Sequence, residues 1–195
     1  DQAMNKIISS FYRLCAFTTV FSSFVLSNAN AYGGMQGVKI GLSALKYDVR
    51  SEGSTLGNGE YKNTYMDYKL GYLSNTLYFG GVYSSYNRET SGSTTKRSLT
   101  GATVGYHNNG FFLDGTYYIS GEVELPTLTK VKSGSGYAIE LGYEVMVSSS
   151  AYLGLEGVYK SISYTKVVSS TGTESDADNK ETPEIYPMLS VGIFF

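Results

Sequence analysis

From Gly136 to Val147 the chain puts an apolar residue at every second position. Tyr137, Ile139, Leu141, Tyr143, Val145 and Val147 alternate with Gly136, Ala138, Glu140, Gly142 and Glu144. A helix would return its apolar residues at steps of three and four, so a period of two requires a strand. Both carboxylates fall on the row opposite the apolar one. This strand therefore has one greasy face and one charged face, and each face needs its own surroundings.

Seven more segments read the same way. The first, Gln36 to Arg50, sets Val38, Ile40, Leu42 and Ala44 against Lys39, Gly41 and Ser43. Its pattern then changes phase at Leu45, Tyr47 and Val49, which predicts a bulge. Tyr61 to Leu73 puts Met66, Tyr68, Leu70 and Tyr72 outward, with Tyr65, Asp67, Lys69 and Gly71 inward. Thr76 to Arg88 leaves its phase open, because Tyr78, Val82 and Tyr86 compete with Leu77, Phe79 and Tyr83. Ser98 to His107 sets Thr100, Ala102, Val104 and Tyr106 against Gly101, Thr103, Gly105 and His107. Phe111 to Gly121 points Phe112, Asp114, Thr116, Tyr118 and Ser120 inward. Ala151 to Tyr164 opposes Leu153, Leu155 and Tyr159 to Gly154, Glu156, Val158 and Lys160. The last, Ile185 to Phe195, puts Ile185, Pro187, Leu189, Val191, Ile193 and Phe195 on one face.

The connections predict an up-and-down arrangement. Ser74-Asn75, Asn108-Asn109-Gly110 and Ser148-Ser149-Ser150 are tight turns. Ser51 to Glu60, Glu89 to Arg97, Glu122 to Ser133 and Val167 to Glu184 are longer and polar. Turns at one end and loops at the other describe an all-β, transmembrane eight-stranded antiparallel up-and-down barrel. Two aromatic girdles follow: Tyr72, Tyr106, Tyr143 and Phe195 near the turns, and Tyr47, Tyr61, Tyr86, Tyr137, Tyr159 and Tyr164 near the loops. Pro187 resists this scheme. It cannot donate a ladder hydrogen bond, so it is expected at a bulge or above the lipid.

The 195 residues include 23 Gly and 19 Tyr but no Trp and only 3 Pro, with a mean hydropathy of -0.14. No stretch after Ala31 is apolar enough for a membrane helix, whereas half-apolar strands suit a barrel in lipid. A net charge of -2 carries no basic excess, which argues against a nucleic-acid partner. Near the front, Lys6 and Arg13 precede an apolar run from Leu14 to Leu26, and Ala29-Asn30-Ala31 follows. This is the pattern of a secretory signal cut after Ala31, with Asp1-Gln2-Ala3 read as a cloning scar before Met4. The expected division is thus 1–31 for scar plus signal and 32–195 for the barrel. Cys15, the single cysteine, lies in the signal, so no disulfide is expected in the barrel.

The final segment resembles the closing strand of bacterial outer-membrane β-barrels, in which alternate hydrophobic residues ending in Phe are read by the assembly machinery. The matching residues are Leu189, Val191, Gly192, Ile193 and Phe195. Signal, strand count, girdles and terminal Phe together resemble the small eight-stranded outer-membrane barrels of the OmpA and OmpX type. The resemblance implies a Gram-negative outer membrane, with outer-membrane lipids and the barrel assembly machinery as partners. It also implies surface loops that meet an unknown extracellular ligand. The function it implies is a structural barrel with a filled lumen. The alternative is a narrow gated ion channel or a surface adhesin.

The inward charges are Lys39, Asp67, Lys69, Asp114, Glu140, Glu144, Glu156 and Lys160. In an interior this narrow they are expected to pair and fill the lumen. Counting from the turns puts Lys69, Asp114, Glu144 and Glu156 at similar heights, with Lys69 reaching toward Glu140 or Glu144. The surplus of acids calls for water, a proton or Arg88. His107 is the one histidine. It points inward beside a turn and is expected to be a hydrogen-bonded lumen residue, not a catalyst. Asp176, Asp178, Glu181 and Glu184 lack the spacing of a calcium loop and read as a solvated acidic loop. Gly134 and Gly136 precede no helix, so they are expected to relieve crowding, not to bind phosphate. No enzyme, metal or cofactor is expected.

Overall fold

A computed structural model of the chain describes residues 36–51, 59–90, 92–127, 129–180 and 183–195. The signal segment and the peptide 52–58 lie outside the described residues. The described chain is all-β, with nine antiparallel strands. In order they are β1 (Gln36–Ser51), β2 (Gly59–Ser74), β3 (Leu77–Thr90), β4 (Ser93–Asn108), β5 (Phe111–Glu124), β6 (Lys130–Met146), β7 (Ala151–Val168), β8 (Glu174–Lys180) and β9 (Glu184–Phe194). Each of β1 to β7 pairs with its sequence neighbours, β6 with β7 and β7 with β9, and β9 returns to β1 and closes the ring. The ring has eight staves, because β8 and β9 both lie along the same side of β7. β9 covers Ala151 to Lys160, and β8 covers Ser163 to Val168.

The tight turns use the expected chemistry. Ser74 and Leu77 pair across one hairpin, and Asn108 and Phe111 across the next. Asn109 and Gly110 both have positive φ, 50° and 85°, as a two-residue hairpin matched to strand twist demands. At the other end the strands run further than their hydrophobic alternation. The long connection expected over Glu89 to Arg97 shrinks to residues 91–92, and the one over Glu122 to Ser133 to residues 125–129. The expected loop from Val167 to Glu184 contains β8. Above the apolar rows both faces turn polar, and cross-strand charges support the ladder instead. Lys62 lies opposite Glu89, and Lys96 opposite Glu124. Lys130 Nζ meets Glu124 at 2.5 Å and Glu122 at 3.0 Å. The Lys130 hydrogen bond and charge hold the Glu124 carboxyl below its ordinary range.

Three local expectations are corrected. β1 has no bulge, since its register with β2 is unbroken from Gln36↔Ser74 to Ser51↔Gly59. Leu45 and Tyr47 simply continue the inward row into an aromatic part of the interior, where Tyr47 stacks on Tyr65 with ring centres 6.3 Å apart. The bulge sits in β5, where the register steps from Thr100↔Ser120 to Gly101↔Tyr118. The extra residue, Ile119, turns Ser120 outward and Gly121 inward. The open phase of β3 resolves with Tyr78 and Val82 inside and Leu77, Phe79 and Tyr83 outside.

Pro187 needs neither a bulge nor a place above the wall. The β7–β9 register runs unbroken through Gly157↔Pro187. Val38 and Phe195 exchange both backbone hydrogen bonds, at 3.0 Å each, while Phe194 N–H donates to Ser150 on the other side. Odd-numbered residues of β9 therefore aim their N–H groups at β1. Pairs that exchange both bonds recur every second residue, so after Ala44↔Leu189 the next would be Lys46↔Pro187. Proline has no N–H to give, and the β1–β9 ladder stops at Ala44↔Leu189. β1 itself continues with β2 to Ser51. The wall thus has a seam above Ala44, with β1 on one side and the split eighth stave on the other.

The two faces differ as the alternation requires. Outward residues are left bare, among them Leu70 at 58%, Phe79 at 53% and Leu141 at 50% exposure. Inside, Asp67, Glu140 and Lys160 are each at 1%. Tyr72, Tyr106 and Phe195 ring the turn end, as expected. The ring near the loops is not the expected one. Tyr86 and Tyr164 turn inward, and Tyr47 packs on an inner ring. The outward tyrosines there are Tyr68, Tyr83, Tyr117, Tyr137 and Tyr159.

Candidate functional site in the lumen

The inward rows of eight staves converge on an interior built in levels. Nearest the turns, Lys39 of β1 donates to both carboxylate oxygens of Glu144 on β6, at 2.6 and 2.7 Å. Four rings surround its ammonium, the nearest being Tyr152 at 4.6 Å and Phe112 at 5.5 Å. Such a cage replaces lost hydration with ring quadrupoles. Glycines make room for it. A Cβ on Gly142 would meet the Phe112 ring at 2.6 Å, and one on Gly192 would meet the Tyr152 ring at 2.5 Å. At the same level His107 Nε2 lies 2.9 Å from Asp114 Oδ1 and stacks on Phe112. An ionised carboxylate only accepts, so His107 donates through Nε2.

One level up, Lys69 of β2 spans the lumen. Its Nζ lies 2.5 Å from Glu140 on β6 and 3.0 Å from Glu156 on β7. One ammonium serves two carboxylates that are 1% and 2% exposed. Above it Lys160 of β7 donates to Ser84 Oγ at 2.7 Å and faces Asp67 Oδ2 at 3.7 Å, an ion-pair distance beyond hydrogen-bond reach. The interior then turns apolar. Tyr65, Val82, Leu99, Tyr118, Val158, Ile162, Tyr164 and Tyr186 form one cluster that blocks the outer half. At its top Arg97 of β4 crosses to Glu184 of β9 at 2.6 Å, with its guanidinium 4.9 Å over the Tyr86 ring.

All eight inward charges named from the sequence lie on the lumen side, and Lys69 meets Glu140, one of the two partners expected for it, while the rest of the grouping differs. Lys69 takes Glu140 and Glu156. Glu144 belongs to Lys39, and Asp114 to His107. Counting along strands ignores their tilt, which slides partners from different staves relative to one another. Arg88 does not enter the lumen; it lies over the Tyr61 ring at 4.7 Å near the rim. The Arg97–Glu184 strut was missed because both residues fell in stretches read as loop. The alternation Arg97, Leu99, Gly101 carried the signal. The acidic cluster near the end of the chain is divided. Asp176 is exposed and Glu184 is drawn in by Arg97, while the Asp178 side chain and Glu181 lie outside the described residues. Gly134 admits the Tyr164 ring, which a Cβ there would meet at 2.5 Å.

The chemistry open to this arrangement is narrow. Among the described residues no three His, Cys, Asp or Glu side chains converge as a metal site. Ser84 and Lys160 touch as a nucleophile and base would, but both are buried, at 4% and 1% exposure. What remains is a tiered set of ion pairs beneath an aromatic plug. In comparisons with known proteins, no family model matches the chain, and no curated protein matches it.

Proposed function

We propose that the chain is a bacterial outer-membrane β-barrel of the OmpA and OmpX type, a structural scaffold that displays its loop-end hairpins outside the cell. One observation carries this reading: the wall is apolar outside and charged inside. A protein in water would expose Lys39, Asp67, Glu140 and Lys160 and bury Leu70, Phe79, Leu141 and Val191, the reverse of what is seen. Lipid reverses the preference, and a closed ladder satisfies the backbone where no water can. The outward tyrosines at two levels match the depth at which amphipathic rings favour a lipid boundary.

In this reading the tight turns face the periplasm, and the protruding hairpins meet an extracellular ligand. β9, with Leu189, Val191 and Ile193 outward and Gly192 inward, is the strand offered to the assembly machinery. The segment 1–31 is a signal removed on export. Function rests on the wall and the hairpins, without catalysis or cofactor. The paired charges and the aromatic cluster above them favour a closed lumen over a standing pore. Two measurements test the proposal: gel mobility of detergent-folded protein without heating, and conductance in planar bilayers. A compact, heat-sensitive band and no steady current support the scaffold. A soluble monomer without detergent refutes the barrel in lipid, and large stable currents promote the channel.

A further inference from the structure

Among the described residues the β1–β9 ladder stops at Ala44↔Leu189, which leaves a seam between β1 and the eighth stave. Its two lips differ. On β9 the outward residues beyond Leu189 are Pro187 and Ile185, the latter 81% exposed. On β1 they are Lys46 and Asp48, both exposed. Behind the seam stand Leu45 and Tyr47 of β1 and Tyr186 of β9. Tyr47 is 40% exposed and stacks on Tyr65, whose ring centre lies 4.3 Å from that of Tyr186. The apolar belt of the outer wall therefore continues along β9 to a seam backed by aromatic rings. A cation stands on the opposite lip.

We propose that this seam is a lateral portal that holds the acyl chain of an anionic membrane lipid, with the chain against Tyr47 and the Ile185–Pro187 lip and the headgroup phosphate at Lys46. The portal rests on the membrane reading above. Its geometry comes from a single residue: Pro187 removes the N–H that would tie β9 to Lys46, while the β7–β9 ladder stays whole. Arg97 and Tyr65 hold the top of β9 from inside through Glu184 and Tyr186. The β9 lip is therefore tied to the interior and to β7. A lipid chain suits an opening of this kind better than a water-soluble ligand, because its apolar lip is continuous with the lipid-facing wall.

The free edge has a direct signature in hydrogen exchange. Even-numbered residues of β1 aim their N–H groups at β9, as Val38 does. Lys46 and Asp48 should exchange at edge rates, while Leu42, Ala44 and the odd-numbered Leu45 and Tyr47 stay protected. Lys46 and Asp48 as protected as Leu42 would overturn the portal. Occupancy is read with single tryptophans, since the chain has none of its own. Tyr47→Trp, Leu141→Trp and Tyr152→Trp are folded into phosphatidylglycerol vesicles with brominated acyl chains. Bromine should quench Leu141→Trp on the outer wall and Tyr47→Trp in the portal, but not Tyr152→Trp in the closed half. Adding Pro187→Val, which restores the N–H, should bring Tyr47→Trp down to the Tyr152→Trp level. Lys46→Glu should weaken its quenching in these anionic vesicles but not in phosphatidylcholine. An unquenched Tyr47→Trp beside a quenched Leu141→Trp overturns the portal and leaves the membrane reading intact. An unquenched Leu141→Trp overturns the membrane reading and the portal with it.

Discussion

Replacing Lys69 by methionine removes the only cation that the described structure gives to Glu140 and Glu156. At an effective dielectric of about 20, each contact near 3 Å is worth roughly 5 kcal/mol of Coulomb energy. Repulsion between the two carboxylates and the cost of desolvating three charges cancel much of that sum. The loss is therefore closer to the ~3–5 kcal/mol typical when one partner of a buried pair is deleted. That corresponds to roughly a hundredfold to five-thousandfold shift in the folded ratio. Lys39→Met takes the ammonium from one carboxylate, Glu144, and should cost less. The sign of the argument is tested by rescue. Lys69→Met combined with Glu140→Gln and Glu156→Gln should regain most of the loss, because the uncompensated charges are gone. Reversible urea unfolding from bilayers, followed by tyrosine fluorescence, measures all of these. A Lys69→Met loss below about 1 kcal/mol, in the range of an exposed pair, would refute the buried-pair reasoning. So would a triple variant no more stable than the single one.

Other outcomes follow from single positions. Leu141→Arg at mid-wall should cost about 2–4 kcal/mol of stability in bilayers, whereas Ser93→Arg at a hairpin tip should cost almost nothing. Gly142→Ala sets a methyl against the Leu155 carbonyl oxygen and the Phe112 ring, and overpacking of this kind costs roughly 1–3 kcal/mol; a Phe112→Leu second change should recover only the ring's share. Glu124 is held below its ordinary range by Lys130, so what the pair contributes is present above the unfolded carboxyl's pKa and fades as pH falls through the folded one. NMR titration should find Glu124 low in wild type and back in the ordinary range in Lys130→Met.

Alternation made most of the wall legible. Outward Leu141 and inward Glu140 could be assigned from the sequence because lipid-type and lumen-type residues differ so sharply in β6. The strands' outer thirds could not, because Lys62, Glu89 and Lys96 lie where both faces are wet and no apolar row marks the period. Tyr86 and Tyr164 misled for the opposite reason. An apolar level inside the barrel makes inward residues look like outward ones, so Leu45 and Tyr47 read as a phase change. The bulge at Ile119 left no signature, since Ser120 fits either face. Lys69's reach to Glu140 was legible from strand order, but the full pairing was not, because it depends on stave tilt: Lys69 also meets Glu156 of β7, and Glu144 goes to Lys39. Pro187 was legible as an anomaly, but its meaning required knowing toward which neighbour its missing N–H points.

The central claim is that β6 has one face in lipid and the other in a sealed lumen. Spin labels placed singly from Tyr137 to Tyr143 in bilayer-folded protein test it residue by residue. Oxygen, which concentrates in acyl chains, should relax the labels at Tyr137, Ile139, Leu141 and Tyr143 strongly. Those at Ala138, Glu140 and Gly142 should be shielded from oxygen and from a water-soluble nickel relaxant alike. Collisions with the nickel reagent at Ile139 and Leu141 that exceed those with oxygen, or a profile without the period of two, would contradict a lipid-facing strand.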